Sequence, residues 1–479
     1  MTGSRSSPHV FARLNPRWLP FADAASCDLP MGKLLRLSLF QVACGMAGVM
    51  LTGTLNRVMI VETGMFGWVV ALMVAAPMLL APLRVLIGFK SDHHRSVFGW
   101  RRVPYMWFGA MIQFGGLAIM PFALLILSGT GVGPVAVGYV GAALGFLLIG
   151  VGMHTVQTAG LALAADLATD ETRPRVVALL SVMLLLGAFA SSLAVGALLV
   201  NFTALRLIQV IQGAAALGLI LTVVSMWGME QRSPARAQAA PEDDSTRALL
   251  AALAALTRGG EARRLLVAVG LGSAAFAMQD VLLEPYGGQV LHLPVGQTSL
   301  LTAFWAFGGL LGFAVAARRL ARGGEPHRIA GLGALIGVFA FAAVILSGAL
   351  QLSLLFRLAA AGIGFGGGLF AIGTLTAAMA MAKDGKSGIV IGAWGAVNAA
   401  AMGASIVFAG FARDAVAAVA ATGSLGPGAD HPAVGYVSVY ALEILLLFVA
   451  LAVIGPLARL GRPGTQTVPQ KLGLAEQPL

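Results

Sequence analysis

Apolar residues run along this chain in blocks of about 20 to 30 positions, the length needed to cross a bilayer as a helix. Charge, proline and glycine gather in the short intervals between the blocks. Spans are predicted near 36–60, 67–88, 103–128, 136–164, 177–200 and 205–228, and again near 265–285, 297–317, 328–348, 353–381, 388–411 and 437–458. The short alternating segments of a transmembrane barrel are absent. Between the two sets lies a polar interval from Glu230 to Arg264 with Pro234, Pro241 and the acidic run Glu242, Asp243, Asp244. Within it Leu249, Leu250, Leu253 and Leu256 recur at helical spacing, which predicts a short amphipathic helix on the membrane surface. The pattern predicts an all-α membrane protein of twelve transmembrane helices in two six-helix halves. Its expected divisions are a segment 1–34, a first bundle 35–229, a central loop 230–263, a second bundle 264–460 and a tail 461–479.

Composition excludes a water-soluble alternative. Of 479 residues 58% are hydrophobic and 11% charged, with a mean hydropathy of +0.87, too few charges to cover a soluble surface of this size. The formal charge of +11 is divided among short loops, not gathered in one patch, so the partner it implies is the lipid bilayer and not nucleic acid. Alternate loops carry it: Arg5 to Arg36, Lys90 to Arg102, Arg173 and Arg175, Arg232 to Arg264, Arg318 to Arg328, Lys383 and Lys386, and Arg459 to Lys471. The intervening loops are nearly bare, with Arg206 and Arg413 the main exceptions. Lysine and arginine are retained on the cytoplasmic side, so both termini and the central loop are expected there. The opening residues lack the apolar core and cleavage site of a signal peptide, and Cys27 and Cys44 have no metal-ligand spacing. Phosphate-binding, zinc-hydrolase and CxxC motifs are absent, so neither an enzyme nor a nucleotide cofactor is expected.

Ionisable residues inside spans are costly, so the few present here are site candidates. Asn56 and Arg57 lie late in span one, Arg84 in span two, His154 and Gln157 in span four, Asp280 and Glu284 in span seven, Arg357 early in span ten and Glu443 in span twelve. Arg57, Glu284, Arg357 and Glu443 are expected at similar depth, and Glu284 is expected to pair with Arg57 or Arg357. Asp280 and Glu284 stand one helical turn apart and could instead take up protons. His154 is the histidine well inside a span; its imidazole suits the magnesium of a chlorophyll macrocycle, or a hydrogen bond to Gln157 or Thr158. The glycine run containing Gly362, Gly364, Gly366, Gly367 and Gly368 permits close helix packing, and secondarily a flat ligand.

The stretch GFKSDHHRSVFGWRR, residues 88 to 102, sets Gly88, Asp92, Arg95, Gly99 and Arg102 in one loop after the second span. It resembles the loop between the second and third helices of major facilitator transporters. Gly312 repeats Gly88 about half a chain later, but Ala316 stands where the aspartate would be. Asp166, Arg173 and Arg175 after span four, and Lys383, Asp384 and Lys386 after span ten, are similar to the charges that hold the inner face of such proteins closed.

The runs LLRLSLFQVACGMAGVMLTGTLNRVMIVE (Leu34 to Glu62), GFKSDHHRSVFGWRRVPYMW (Gly88 to Trp107), QFGGLAIMPFALL (Gln113 to Leu125) and AFAMQDVLLEPYGGQVL (Ala275 to Leu291) resemble the PucC and LhaA group. This is the bacteriochlorophyll-delivery branch of the major facilitator superfamily, and the LhaA-like type serving the core antenna is the nearer resemblance. It implies an assembly factor for light-harvesting complexes that binds bacteriochlorophyll and hands it to antenna polypeptides in the bacterial inner, intracytoplasmic photosynthetic membrane. The implied partners extend to the reaction centre, chlorophyll-synthesis enzymes and the membrane insertion machinery. His154, Gln157, Gly364 and Gly367 are the candidate pigment contacts. Two other readings stay open on the residues alone: a proton-coupled secondary transporter, and a scaffold for antenna assembly that binds no pigment.

Overall fold

A computed structural model describes residues 24–26, 29–79, 100–169, 171–230, 260–381, 387–424 and 432–460. Within these residues the chain is helical. The first membrane-crossing rod, α1, runs Met31–Glu62. It is α-helical over Met31–Leu37 and Leu39–Gly48 and widens into π-helix over Val49–Leu55 and Val58–Glu62. There follow α2 (Gly67–Leu79), α3 (Val103–Leu127), α4 (Val135–Leu167), α5 (Arg173–Leu198) and α6 (Ala204–Met226). The second set is α7 (Gly260–Gln289), α8 (Val295–Ala321), α9 (Pro326–Leu350), α10 (Ser353–Met381), α11 (Ser387–Ala421) and α12 (Ala433–Leu460). Eleven of these twelve are long and apolar enough to span a bilayer; the described part of α2 is shorter. The chain is a multi-pass membrane protein.

Most predicted boundaries fall within a few residues of these, because charge and proline mark the ends. Proline occupies the first turn of α3, α5 and α9, where its missing N–H costs nothing. The Thr203 hydroxyl accepts from the Arg206 N–H at the start of α6, and the Glu325 carboxylate caps α9 through the His327 and Arg328 N–H groups. Two ends differ from expectation. Helix α7 begins at Gly260, inside the expected central loop, because Glu261, Arg263 and Arg264 extend the helix as a polar first turn. Helix α11 continues to Ala421, carrying Arg413 and Asp414 within it. The expected surface helix around Leu249 to Leu256 lies outside the described residues, as do most of segment 1–34 and the tail 461–479.

The two halves are copies in their packing. Among the described residues α1 touches α4, α5 and α6, and α7 touches α10, α11 and α12; α3 touches α4 and α6, and α9 touches α10 and α12; α2 touches α4, and α8 touches α10. Between halves, α5 lies on α8 and α2 on α11, while α1 meets α7. Exchanging each helix for the one six places later maps these seams onto one another, the signature of parallel repeats about an axis along the membrane normal. The seams are specific: the Phe189 ring of α5 lies 6.0 Å from the Phe307 ring of α8, and Thr54 of α1 is hydrogen-bonded to Ser299 of α8 at 3.3 Å. Because α1 is wrapped by both halves, it is buried nearly all round.

Two faces follow from the side-chain contacts. The Arg36 guanidinium at the start of α1 donates to the Trp227 carbonyl past α6 (2.9 Å), so the chain's entry and its exit from the first bundle share one face, here called the terminal face. The end of α1, the α7–α8 link and the start of α2 form the opposite face.

Candidate functional site

The π-helical stretch of α1 sets polar groups into the seam. π turns accommodate an extra residue and recur at functional positions. Asn56, fully buried, donates from Nδ2 to the carbonyls of Thr52 (3.0 Å) and of Val281 on α7 (3.1 Å), tying the halves together. Opposite Gly53, the Glu284 carboxylate accepts from the Thr302 hydroxyl of α8 at 2.7 Å. A Cβ at residue 53 would stand 2.4 Å from that carboxylate, so any larger residue there would push the Glu284 side chain aside.

The expected pairing of Glu284 with Arg57 or Arg357 does not occur. Arg57 is 4% exposed, and its guanidinium pairs with Glu62 and donates to the Leu293 carbonyl (3.2 Å). The reason is reach: Glu62 lies five residues on along the same helix, at the rim, where its side chain is still 39% exposed. Arg357 points away to the Gln297 side chain at 3.1 Å, at the opposite-face start of α10. Asp280 is partly exposed and bonded to the neighbouring Gln279 amide, while Glu284, a turn later, is 2% exposed.

Further into the second half, buried aromatic rings stack along α7. Tyr286 meets Phe356 at 5.5 Å and both Tyr436 and Tyr440 at 5.4 Å; Phe341 continues the row from Tyr440 (6.2 Å) to Phe276 (6.1 Å) and Phe370. Glu443, one turn after Tyr440, has no exposed surface, and neither of its carboxyl oxygens has a hydrogen-bond partner among the described residues.

His154 on α4 is 8% exposed. The Thr158 hydroxyl donates to its backbone carbonyl at 2.8 Å, and the Gln157 amide donates to Gln41 of α1 at 3.5 Å. The buried Cys44 thiol leans on the Met153 carbonyl nearby. Gly364 does not open space for a flat ligand. A Cβ there would stand 1.9 Å from the Trp305 carbonyl oxygen, so this glycine serves the contact of α10 with α8. Gly367 faces the Phe276 ring, 3.6 Å from the position of a Cβ.

At the terminal face the structure brings Arg102 and Asp166 together (3.2 Å), with Arg101 also reaching Asp166 (3.5 Å). Arg173 donates to the Ala165 carbonyl at 3.4 Å, closing over the end of α4, and Arg175 lies in the first turn of α5. Arg84, Gly88, Asp92, Arg95 and Gly99 lie outside the described residues.

Three groups escaped the sequence reading. Glu230 accepts from the N–H groups of Arg101 (2.7 Å), Arg102 (3.0 Å) and Val103 (3.0 Å), capping α3 from beyond α6. Nothing in sequence links positions so far apart. Arg413 pairs with Asp414 (2.5 Å), lies 4.5 Å from the Tyr436 ring centre and donates to Gln289, while Asp414 accepts the Trp68 N–H (2.9 Å) at the start of α2. Arg413 had stood out as a breach of loop-charge alternation, and this latch across the opposite face is its physical reason. Thr302 as a partner for Glu284 left no signal.

Comparison with known proteins adds the following. A family model described as PUCC protein matches residues 54–461. A relative from Rhodobacter capsulatus, described as an uncharacterized protein in the puhA-bchM intergenic region, is 52% identical over 480 residues, covering 98% of this chain and 99% of the relative. Protein PucC of Rhodovulum sulfidophilum is 51% identical over 416 residues, 86% of this chain and 92% of that protein. Among solved structures, a bacterial homologue of the human lysosomal transporter Spinster, inward-facing and unoccupied, superposes with a TM-score of 0.67 at 15% identity, covering 89% of this chain and 96% of that one. That likeness shows the fold, the major facilitator arrangement expected from the sequence.

Proposed function

The chain belongs to the PUCC protein family, and from that premise we propose that it assembles photosynthetic light-harvesting complexes, binding bacteriochlorophyll and passing it to antenna polypeptides. It works as a carrier and not as an enzyme, in the bacterial inner membrane of the photosynthetic apparatus, with its terminal face toward the cytoplasm. The observation that carries the reading is the family match, which extends through both bundles and across the seam at Asn56 and Glu284. The pigment is cargo, and the core antenna with its reaction centre is the destination; pigment-synthesis enzymes and the insertion machinery are the neighbours such a handover requires.

His154 is the residue whose chemistry suits the pigment magnesium, being an imidazole inside the first bundle. Gly364 faces helix α8, with the Trp305 carbonyl oxygen 1.9 Å from the position of a Cβ. A second reading, a proton-coupled transporter, is favoured by one feature: Asp280, Glu284 and Glu443 lie among apolar helices of a fold shared with transporters. One purification tests both. Isolated in mild detergent from pigment-making cells, the protein is expected to carry bacteriochlorophyll in its absorption spectrum, and H154A to lose it while retaining its helical content. Pigment-free protein that still captures antenna polypeptides would mean a scaffold, and liposome flux abolished by E284Q would mean a transporter.

A further inference from the structure

Helix α12 carries a proline close to its end. Pro456 has no N–H, so the Ala452 carbonyl four residues earlier loses its α-helical donor. Helix α7 packs against α12 and runs the other way, which brings Arg263 and Arg264 of its first turns beside this stretch. Between the two helices, at the terminal-face end of the second bundle, lies a cleft of about 290 Å3 lined by Arg263, Arg264, Val267, Ala452, Val453 and Pro456.

The cleft opens outward, away from the seam between the halves. On the inward sides of the same helix turns Leu265 and Leu457 are buried in one apolar cluster with Ala377 and Ala378 of α10, which closes the cleft from within. Both arginines, Val267, Ala452 and Pro456 are exposed, and on the outside of a membrane-spanning bundle such a face meets lipid. The exposed side of α12 continues from Ala452 through Val449 and Phe448 to Leu445 at helical spacing, an apolar track leading from the cleft toward the middle of the bilayer. The positive charge is unanswered from within the chain. Among the described residues no carboxylate lies within ion-pair distance of Arg263 or Arg264, and Glu261 in the same first turn is exposed and pairs with neither. A guanidinium presents a planar fork of N–H donors that matches phosphate oxygens. The occupant that suits the cleft is therefore anionic at the interface and apolar below it.

We propose that this cleft binds an anionic phospholipid whose headgroup carries hydroxyls, of the phosphatidylglycerol type. The two guanidiniums hold the phosphodiester, the Ala452 carbonyl accepts a headgroup hydroxyl, and the acyl chains follow Val267 and the track from Val449 to Leu445. Free phosphate shares the first of these contacts and lacks the others. Phosphatidylcholine has the phosphate and the chains but neither net negative charge nor a hydroxyl to donate. Bound there, the lipid joins the start of α7 to the end of α12, the first and last helices of the second bundle. The site lies on the outer wall and does not draw on the pigment reading.

Native mass spectrometry of the full-length protein, extracted in mild detergent and mixed with equal amounts of phosphatidylglycerol and phosphatidylcholine, reads the bound lipid directly. The wild type is expected to retain phosphatidylglycerol in preference, and R263Q/R264Q to weaken that retention by roughly thirtyfold through loss of two basic residues at the membrane surface. A452F, which fills the cleft and keeps both charges, is expected to weaken it too. R318Q/R319Q, which removes an exposed arginine pair from the last turn of α8, is expected to leave it. Equal retention of the two lipids by the wild type, unchanged retention in either R263Q/R264Q or A452F, or an equal loss in R318Q/R319Q overturns the site. Displacement of the lipid by inorganic phosphate at the same concentration would mean an anion site and overturns it as well. Should R263Q/R264Q fail to fold, the wild-type preference and A452F decide.

Discussion

Single residues here act mostly by letting backbones approach or by closing them off. Gly364 is the clearest case, since any side chain meets the Trp305 carbonyl. G364A is expected to destabilise by about 1 to 3 kcal/mol through forced separation of α8 and α10, read as a lowered melting temperature in detergent. G115A, where nothing lies within 4 Å of the new Cβ, is expected to leave melting unchanged or slightly raised. Glu230 acts the other way, filling three N–H groups at once. E230A is expected to cost about 1 to 2 kcal/mol, and hydrogen exchange at Arg101 to Val103 should quicken with it. The glycine run was visible in sequence as a packing signal, because small residues at close spacing have one common use in membranes. The cap was not visible, because one carboxylate at a span end looks like any other until the chain returns to meet it.

At the scale of elements, the helices were legible and the partners were not. Length and hydropathy place each rod, and charge marks its ends, so α3, α4, α6 and α10 fall where the pattern puts them. The π turns of α1 carry no such mark: VMLTGTL reads as ordinary helix, and only the packing of both halves around it reveals the widened turns. Pairing failed for a related reason. Arg57 and Glu284 share a depth, yet an arginine side chain is served by the nearest carboxylate its own helix offers, and Glu62 is nearer. The Asp414 carboxylate, paired with Arg413 on its own helix, joins α2 to α11 on the opposite face by accepting the Trp68 N–H. D414A is expected to speed amide exchange in the first turn of α2 by about tenfold, from the roughly 1.5 kcal/mol of a hydrogen bond to a charged acceptor. Unchanged exchange there would show that apolar packing alone holds that end.

The whole molecule is a duplicated bundle whose copies have diverged in charge. The repeat was readable from Gly88 and Gly312 and from the count of spans, and the paired helix contacts give it a physical form. What divergence did is visible only in space: the first copy carries the Arg102–Asp166 ion pair and the Glu230 cap, the second the aromatic row and the buried acids. The described contacts between copies come from α1, α2, α5, α7, α8 and α11. Cutting the polypeptide between Glu230 and Gly260 is therefore expected to leave both halves together, eluting from a sizing column as one particle. Separate elution would assign the association to the connecting segment.

The Glu230 cap also sets an order of events during synthesis. The amides of Arg101 to Val103 are made almost 130 residues before the carboxylate that satisfies them, the separations being 127 to 129 positions. Until residue 230 has been made, the start of α3 stands without the cap that is worth about 1 to 2 kcal/mol to it. The last polar contact of the first half is thus set by the last residue of that half to be synthesised.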